Sequence, residues 1–167
     1  TQPGSGCTPL HVAAYDGHAQ IALDLIEKEN NNNSRDDVDW TPLHWAAKNG
    51  HAETASARRE RQVYINDTDN DGETPLHWAA RYGYTETALA LIEQGADTNI
   101  QNNAGLTPLQ SAAHNGHPEI ALALTEQGAN TNIQNNTGRT PLHSAAQNVH
   151  TDTLIALIEA GADITST

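Results

Sequence analysis

The chain of 167 residues is organised by a four-residue motif, Thr-Pro-Leu-His or a close copy of it, that recurs every 33 residues. The five copies begin at Thr8, Thr41, Thr74, Thr107 and Thr140. A fixed period of about 20 to 50 residues is typical of a stacked array, in which each unit buries its apolar face against its neighbours. Residues that recur with this period are therefore expected to serve the architecture, and residues that break it are candidates for function.

The third copy shows what one repeat encodes. Thr74 is a favourable helix N-cap, and Pro75 stands at the first helical position, where its missing N–H costs nothing. Gly83 is predicted to end this helix in the left-handed conformation that glycine adopts readily. A second helix is predicted from about residue 85 to 94, and the polar stretch 97–105 is predicted to form an exposed turn. Each unit therefore consists of a turn, a helix, a loop and a second helix.

The succession of T-P-L-H-x-A-A and G-A-D-x-N closely resembles the ankyrin repeat family over about residues 6–165. Glycines between the helices and asparagines in the loops match as well, at Gly17, Gly50, Gly83 and Gly116 and at Asn33, Asn66, Asn99 and Asn132. The resemblance implies an all-α solenoid of five helix-loop-helix repeats joined by β-hairpin-like turns. It divides a single domain, 1–167, into repeats at about 3–35, 36–68, 69–101, 102–134 and 135–167.

Composition limits the classes of partner. Lys and Arg number 8 against 21 Asp and Glu, and the net charge of −13 argues against nucleic acid and anionic membranes as partners. The apolar stretches are short, so no membrane-spanning segment is expected. Cys7 is the single cysteine, which favours a reducing, cytoplasmic compartment. The chain has no methionine, so a missing N-terminal segment, a removed signal and a secreted protein stay open as alternatives.

Histidines are frequent, and the repeat explains most of them. Eight of the nine recur at the 33-residue interval, in the motif itself and seven residues after it. They are predicted to be structural, with hydrogen bonds to the backbone or to the capping threonine. His114 is the ninth, and one imidazole does not make a metal site.

Other sequence features imitate active or metal-binding sites. Residues 67–72 resemble the start of a calcium loop, but Trp78 stands where such a loop needs a bidentate glutamate. This stretch is predicted to be a turn of the form D-x-x-G. The sequence offers no nucleophile paired with a base and no glycine-rich phosphate loop. We therefore predict a protein that is not an enzyme and that uses neither a metal nor a cofactor.

The positions that vary between repeats carry the functional prediction. The family resemblance implies a concave groove, formed by the turn before each motif and by the exposed side of the first helix, that binds other proteins. Aromatic and charged residues occupy these positions mainly in repeats one to three, and such side chains concentrate binding energy in interfaces. The predicted partner surface consists of Tyr15, Trp40, Trp45, Lys48, Glu73, Trp78, Arg81, Tyr82 and Leu106.

The members of this surface have different expected roles. Trp45 and Trp78 fit two interpretations equally well, binding a partner or packing between adjacent first helices. Trp40 precedes the motif, at a turn position, and binding is the favoured interpretation there. Glu73, with its cationic neighbours, is expected to set the polarity of the surface.

Two other functions remain open at this point. The array could be a regulatory or targeting segment of a larger protein, possibly an enzyme whose catalytic domain lies elsewhere. It could also be a spacer with no ligand in its groove. Neither end has a clear capping repeat, which favours a fragment of a longer protein or end-to-end self-association.

Several residues depart from the repeat pattern. Arg58 and Arg59 stand at inner, apolar positions of the second helix of repeat two. A shifted, frayed or partly unwound helix is the favoured interpretation, with faster amide exchange at 54–64 than at 87–95, and a basic spot for an acidic partner is the alternative. Asp39 replaces a turn glycine, so the front of the array is expected to be irregular. Val149 replaces a loop glycine and predicts a different interhelix loop in repeat five.

Overall fold

The computed structural model describes residues 4–28, 33–57 and 65–165. In these ranges the backbone forms ten α-helices, in five consecutive pairs, and no β-strand. The first helices of the pairs are α1 (Pro9–Asp16), α3 (Pro42–Asn49), α5 (Pro75–Tyr82), α7 (Pro108–Asn115) and α9 (Pro141–Gln147). The second helices are α2 (Ala19–Lys28), α4 (Ala52–Ser56), α6 (Thr85–Glu93), α8 (Pro118–Glu126) and α10 (Thr151–Glu159). The all-α prediction and the pairing of helices are confirmed.

The Thr-Pro-Leu-His motif starts each first helix and also ties it to the next repeat. In α5 the backbone N–H of Thr74 donates to Nδ1 of His77 at 3.1 Å, and the backbone N–H of His77 donates to the Thr74 hydroxyl. Nε2 of His77 donates to the carbonyl of Leu106, in the following repeat, at 2.9 Å. The buried imidazole therefore satisfies polar groups at the helix start and across the repeat boundary, as the structural interpretation of this series predicts.

The second series of histidines joins the loops between helices. Nε2 of His51, His117 and His150 each lies 2.9 to 3.1 Å from a carbonyl oxygen of the preceding repeat. Each ring covers a glycine of that repeat: a Cβ built on Gly83 would lie 2.6 Å from the His117 ring. Gly83 also has a φ of 78°, which only glycine adopts at little cost. Both glycine and histidine recur because the loops stack closely.

The core lies between two layers of helices. First helices pack on first helices and second helices on second helices along the array. Alanines near the middle of the first helices are almost fully buried and allow close packing, while large side chains fill the space between the layers. The largest apolar side chains that are fully buried are those of Leu76, Leu91, Leu109, Ile120, Leu124 and Leu157.

The turns before the first helices of repeats two to five are closed by an aspartate or asparagine side chain. In repeat three, Oδ1 of Asp69 accepts the backbone N–H groups of Asp71 and Glu73, both at 2.9 Å. The turn predicted for the calcium-like stretch is therefore confirmed. Asp39 keeps the same geometry in repeat two, with a left-handed φ of 65° beside 74° for Gly72. The expected irregularity does not extend to this turn.

The interhelix loop of repeat five also keeps the common form, so the prediction for Val149 is wrong. Val149 adopts a left-handed φ of 59°. The backbone N–H of His150, the following residue, donates to the carbonyl oxygen of Ala145 at 3.0 Å. The equivalent bond in repeat four joins His117 to Ala112 at 3.0 Å. The Val149 side chain is 79% exposed, so its bulk meets little resistance and the backbone alone carries the strain.

The second helix of repeat two is short where it is described. Helix α4 ends at Ser56, whereas α6 continues to Glu93, the position equivalent to residue 60. Arg58 and Arg59 lie outside the described residues, and so does most of the segment for which fast amide exchange is expected. That comparison stays a prediction.

Candidate partner-binding site

Six aromatic side chains from repeats one to three form one continuous group, which we term the aromatic cluster. Trp40 lies at its centre, with ring centroids 4.6 Å from Trp45 and 4.7 Å from Trp78. Tyr15 meets Trp45 edge-on at 5.5 Å, and Trp78 stacks on Tyr82 at 6.0 Å. Tyr84 extends the group beyond Tyr82. The structure thus brings together all five aromatic residues that the sequence assigned to the groove.

The repeat positions the two outer indoles, and the turns hold them. Trp45 and Trp78 occupy equivalent positions on α3 and α5, so they point in the same direction one repeat apart. The indole N–H of Trp45 donates to Oδ2 of Asp36 at 2.9 Å, and that of Trp78 donates to Oδ2 of Asp69 at 3.0 Å. The same carboxylate thereby closes the turn and fixes the ring.

Sequence reasoning missed these two aspartates, although a signal was present. Aspartate stands nine residues before each tryptophan of the first helices, whereas asparagine stands nine residues before Ser111 and Ser144. Asparagine can close the turn with its carbonyl oxygen, as Asn102 does, but its second polar atom is a donor. The aspartates accompany tryptophan because an indole N–H needs an acceptor.

Burial corrects the expectation for Trp40. Its side chain is only 8% exposed, because Trp45 and Trp78 enclose it from both sides, so the turn position does not leave it open to solvent. Trp45 and Trp78 are 3% and 9% exposed, so both are packed in the core, as one of their two interpretations has it. Participation of the three indoles in binding stays a prediction.

The Lys48 ammonium lies on the indoles. Its Nζ is 4.6 Å from the ring centroid of Trp40, 5.5 Å from that of Trp45 and 5.3 Å from that of Trp78. A cation in this position is attracted to the electron-rich ring faces. Partial burial lowers the pKa of Lys48, because the charged ammonium loses contact with water. The lysine therefore adds a positive charge to the packed indole rings.

Glu73 lies beneath the surface, which corrects its expected role in setting surface polarity. Its side chain is buried, and Oε1 accepts hydrogen bonds from Nη2 of Arg81 and, at 2.7 Å, from Nδ2 of Asn102. Burial raises the pKa of Glu73, and the neighbouring guanidinium and amide oppose that rise. The Arg81 guanidinium also lies 4.9 Å from the ring centroid of Trp78. Glu73 thus orients Arg81 over the aromatic cluster.

Leu106 takes part through its backbone. Its carbonyl accepts from Nε2 of His77 at 2.9 Å, and its N–H donates to the side chain of Asn102 at 2.9 Å. The side chain is half-buried. Both contacts are made by the backbone, so neither depends on the Leu106 side chain.

The accessible part of the site is smaller than the set predicted from the sequence. Tyr82 is 46% exposed, and Tyr15, Lys48 and Arg81 are half-buried, so these four side chains form the outer surface over the buried indoles. Phenol rings and cations that are held in place by packed indoles are suited to contact with a protein surface.

Within the described ranges, no group of three or more His, Cys, Asp or Glu side chains could hold a metal ion. None of the helices there has the length and apolar character that a membrane crossing requires.

Comparison with known proteins identifies the repeat. The family model described as ankyrin repeats (3 copies) matches residues 10–102 and 90–167, which is most of the chain. A search of the curated proteins gives no match.

Proposed function

The chain belongs to the ankyrin repeat family, and we propose that its aromatic cluster is the binding site for a protein partner. Proteins of this family generally act as protein–protein interaction modules and are typically not catalytic.

The juxtaposition of Tyr82, Lys48 and Arg81 over three packed indoles supports this assignment most directly. Interfaces derive most of their energy from a few aromatic and arginine side chains. Binding also costs less when those side chains are already ordered, since less conformational entropy is lost. Stacking, cation–π contacts and the buried Glu73 carboxylate order these groups in the free protein.

The other repeats offer a weaker surface at equivalent positions. Ser111 and Ser144 replace the two tryptophans of the first helices and are buried. Asn115 and Asn148 replace Tyr82, and each donates to a backbone carbonyl of its own helix. A partner that needs large aromatic contacts is therefore expected to bind repeats one to three.

The test compares single variants at equivalent positions of different repeats. A partner is first captured with the full chain and purified, and its Kd is then measured for Tyr82→Ala and for Asn148→Ala, which lies at the same position of repeat five. We expect Tyr82→Ala to weaken binding at least about tenfold, or about 1.4 kcal/mol, with Asn148→Ala close to wild type. Far-UV circular dichroism checks that both variants fold.

Equal affinities of the two variants, with both folded, would overturn the proposal. Tryptophan substitutions are unsuitable for this test, because the indoles are buried and their removal would leave cavities that destabilise the array.

End-to-end self-association is a second candidate. Its support is the exposure of large apolar side chains in repeat five, at Val149, Ile158 and Ile164. Ile158 is equivalent to Ile92, which is buried in the core. Sedimentation at increasing protein concentration tests the idea: association that Ile158→Lys abolishes would support it, and a monomer at every concentration would exclude it.

A further inference from the structure

The second helices of repeats three to five present an apolar row on their outer side. Leu89, Leu122 and Ile155 lie at equivalent positions of α6, α8 and α10 and are 38%, 43% and 50% exposed. We term these three residues the outer stripe. Because the three helices pack side by side in this order, the outer stripe runs across them along the array.

Carboxylates flank the outer stripe on both sides. One row lies three residues before it, at Glu86, Glu119 and Asp152, and the other lies four residues after it, at Glu93, Glu126 and Glu159. All six are exposed. Residues at i−3, i and i+4 share one face of a helix, so each helix shows an acid, an apolar side chain and a second acid in sequence.

Helix stability accounts for the first row of carboxylates but not for the second. Acidic residues in the first turn interact favourably with the positive end of the helix dipole. Glu93, Glu126 and Glu159 are the last residues of their helices, where a negative charge is unfavourable, and no basic residue lies in the last turn of these helices. Helix stability therefore gives no reason for these three acids, and a cationic partner on the exposed leucine and isoleucine beside them would give one.

The distance expected between successive members of the outer stripe is close to the rise of seven residues of an α-helix. Packed helices lie about 8 to 10 Å apart, which sets the distance between successive members of the stripe. In a partner helix that crosses α6, α8 and α10, every seventh residue advances about 10.5 Å and can follow the stripe. Same-face residues of a β-strand advance only about 6.6 Å and cannot.

Charge determines what else the partner must carry. The two carboxylate rows lie roughly 4.5 and 6 Å along the helix axis from the outer stripe, within reach of lysine or arginine on either side of a crossing helix. A second copy of this chain, with 8 Lys and Arg against 21 Asp and Glu, offers few such cations.

We propose that the outer stripe and its carboxylate rows bind a cationic amphipathic helix of a partner protein, with an apolar residue at every seventh position and Lys or Arg on both flanks. This surface belongs to the second helices of repeats three to five, whereas the aromatic cluster belongs to the first half of the array. The two sites are therefore independent.

The test uses a fluorescent synthetic helix about three heptads long, with Leu at every seventh position, Lys on both flanks and Ala elsewhere. Fluorescence anisotropy measures its binding to the full chain at two salt concentrations. We expect saturable binding that weakens with salt, because exposed charges are screened. A peptide of the same composition but scrambled order is expected to bind at least about tenfold more weakly, since it lacks the apolar row.

Variants of the protein locate the site. Leu122→Gln is expected to weaken binding of the synthetic helix about tenfold, whereas Ile21→Gln, at an exposed apolar residue of α2 outside the outer stripe, leaves it unchanged. The double variant Glu119→Gln/Glu126→Gln is expected to reduce the dependence on salt. Circular dichroism shows whether each variant is folded.

Three results would overturn the proposal: equal binding of the scrambled peptide, equal effects of Leu122→Gln and Ile21→Gln, or loss of binding in Tyr82→Ala. The last of these would place the peptide on the aromatic cluster. Conversely, the outer stripe can bind the synthetic helix even if the aromatic cluster has no partner, so failure of one proposal is distinct from failure of the other.

Discussion

The buried imidazole of His77 is bound in its neutral form. In His77, Nδ1 accepts the backbone N–H of Thr74, and Nε2 donates to a carbonyl, so a second ring proton would face a donor. Burial lowers the pKa of His77 from 6.5 to about 4. The unfolded chain therefore takes up the proton first, and the stability that the neutral ring contributes is lost as pH falls from about 6.5 to about 4.

Glutamine provides a matched substitution, because repeat four already uses it. Oε1 of Gln110 accepts the N–H of Thr107, and Nε2 donates to the carbonyl of Arg139 at 2.7 Å. We expect His77→Gln to fold and to lose less stability than wild type between pH 7 and pH 4, by up to about 3 kcal/mol. Urea unfolding across this pH range measures the difference. Parallel pH profiles would show that His77 is not a source of acid sensitivity.

Among the residues that the structure describes, Val149 has the most costly backbone conformation. A β-branched residue is strained at a φ of 59°. Packing of the Val149 side chain does not offset this strain, because the side chain is 79% exposed. We expect Val149→Gly to raise the free energy of unfolding by about 1 kcal/mol, after allowance for the greater chain entropy of glycine. Urea denaturation is the measurement.

The reverse change in repeat four is the control. At Gly116 a Cβ would lie 2.5 Å from Nδ1 of His150, so Gly116→Val combines strain with a steric clash. This variant should be destabilised by more than Val149→Gly is stabilised. A destabilised Val149→Gly variant would contradict the interpretation of strain.

At the scale of elements, the turn and the first helix of repeats two and three act as a unit through one carboxylate. Asp69 closes its turn with Oδ1 and holds the Trp78 indole with Oδ2. Asp69→Asn can keep the turn but loses the acceptor for the indole. We expect a loss of about 1 to 2 kcal/mol in the free energy of unfolding, measured in urea.

A double-mutant cycle separates this bond from other effects of the substitution. Phenylalanine at position 78 has no N–H, so Asp69→Asn should cost clearly less in a Trp78→Phe background than in wild type. Equal costs in the two backgrounds would mean that the bond to the indole does not stabilise the fold.

Sequence reasoning predicted the elements well where their signals are local. Thr74, Pro75 and Gly83 act within one helix, and the structure begins and ends α5 beside them. The burial of Trp40 could not be predicted in this way, because it depends on Trp78 in the next repeat and on the Lys48 chain lying across both rings. The loop at Val149 was predicted wrongly because the stacking of the helices outweighs the local backbone preference of valine.

At the scale of the whole molecule, the repeats build a uniform frame on which two unlike surfaces lie. Fixed positions carry the capping threonines, the bridging histidines and the alanines of the core. The variable positions place aromatic rings and cations in the first half, and the outer stripe with its carboxylates lies in the second half. The 33-residue period was enough to predict the repeated architecture. Identifying the accessible part of each surface required the burial of individual side chains, which only the structure gives.

The aromatic cluster is tested most directly by the footprint of a bound partner. Amide hydrogen exchange of the full chain is measured with and without the purified partner protein. We expect slower exchange on binding at residues 45–49 and 78–84, which form the aromatic cluster and its loops, and unchanged exchange at the equivalent residues 111–115 and 144–148. Protection confined to the latter two segments, with none at 45–49 and 78–84, would contradict a partner site in the first half of the array.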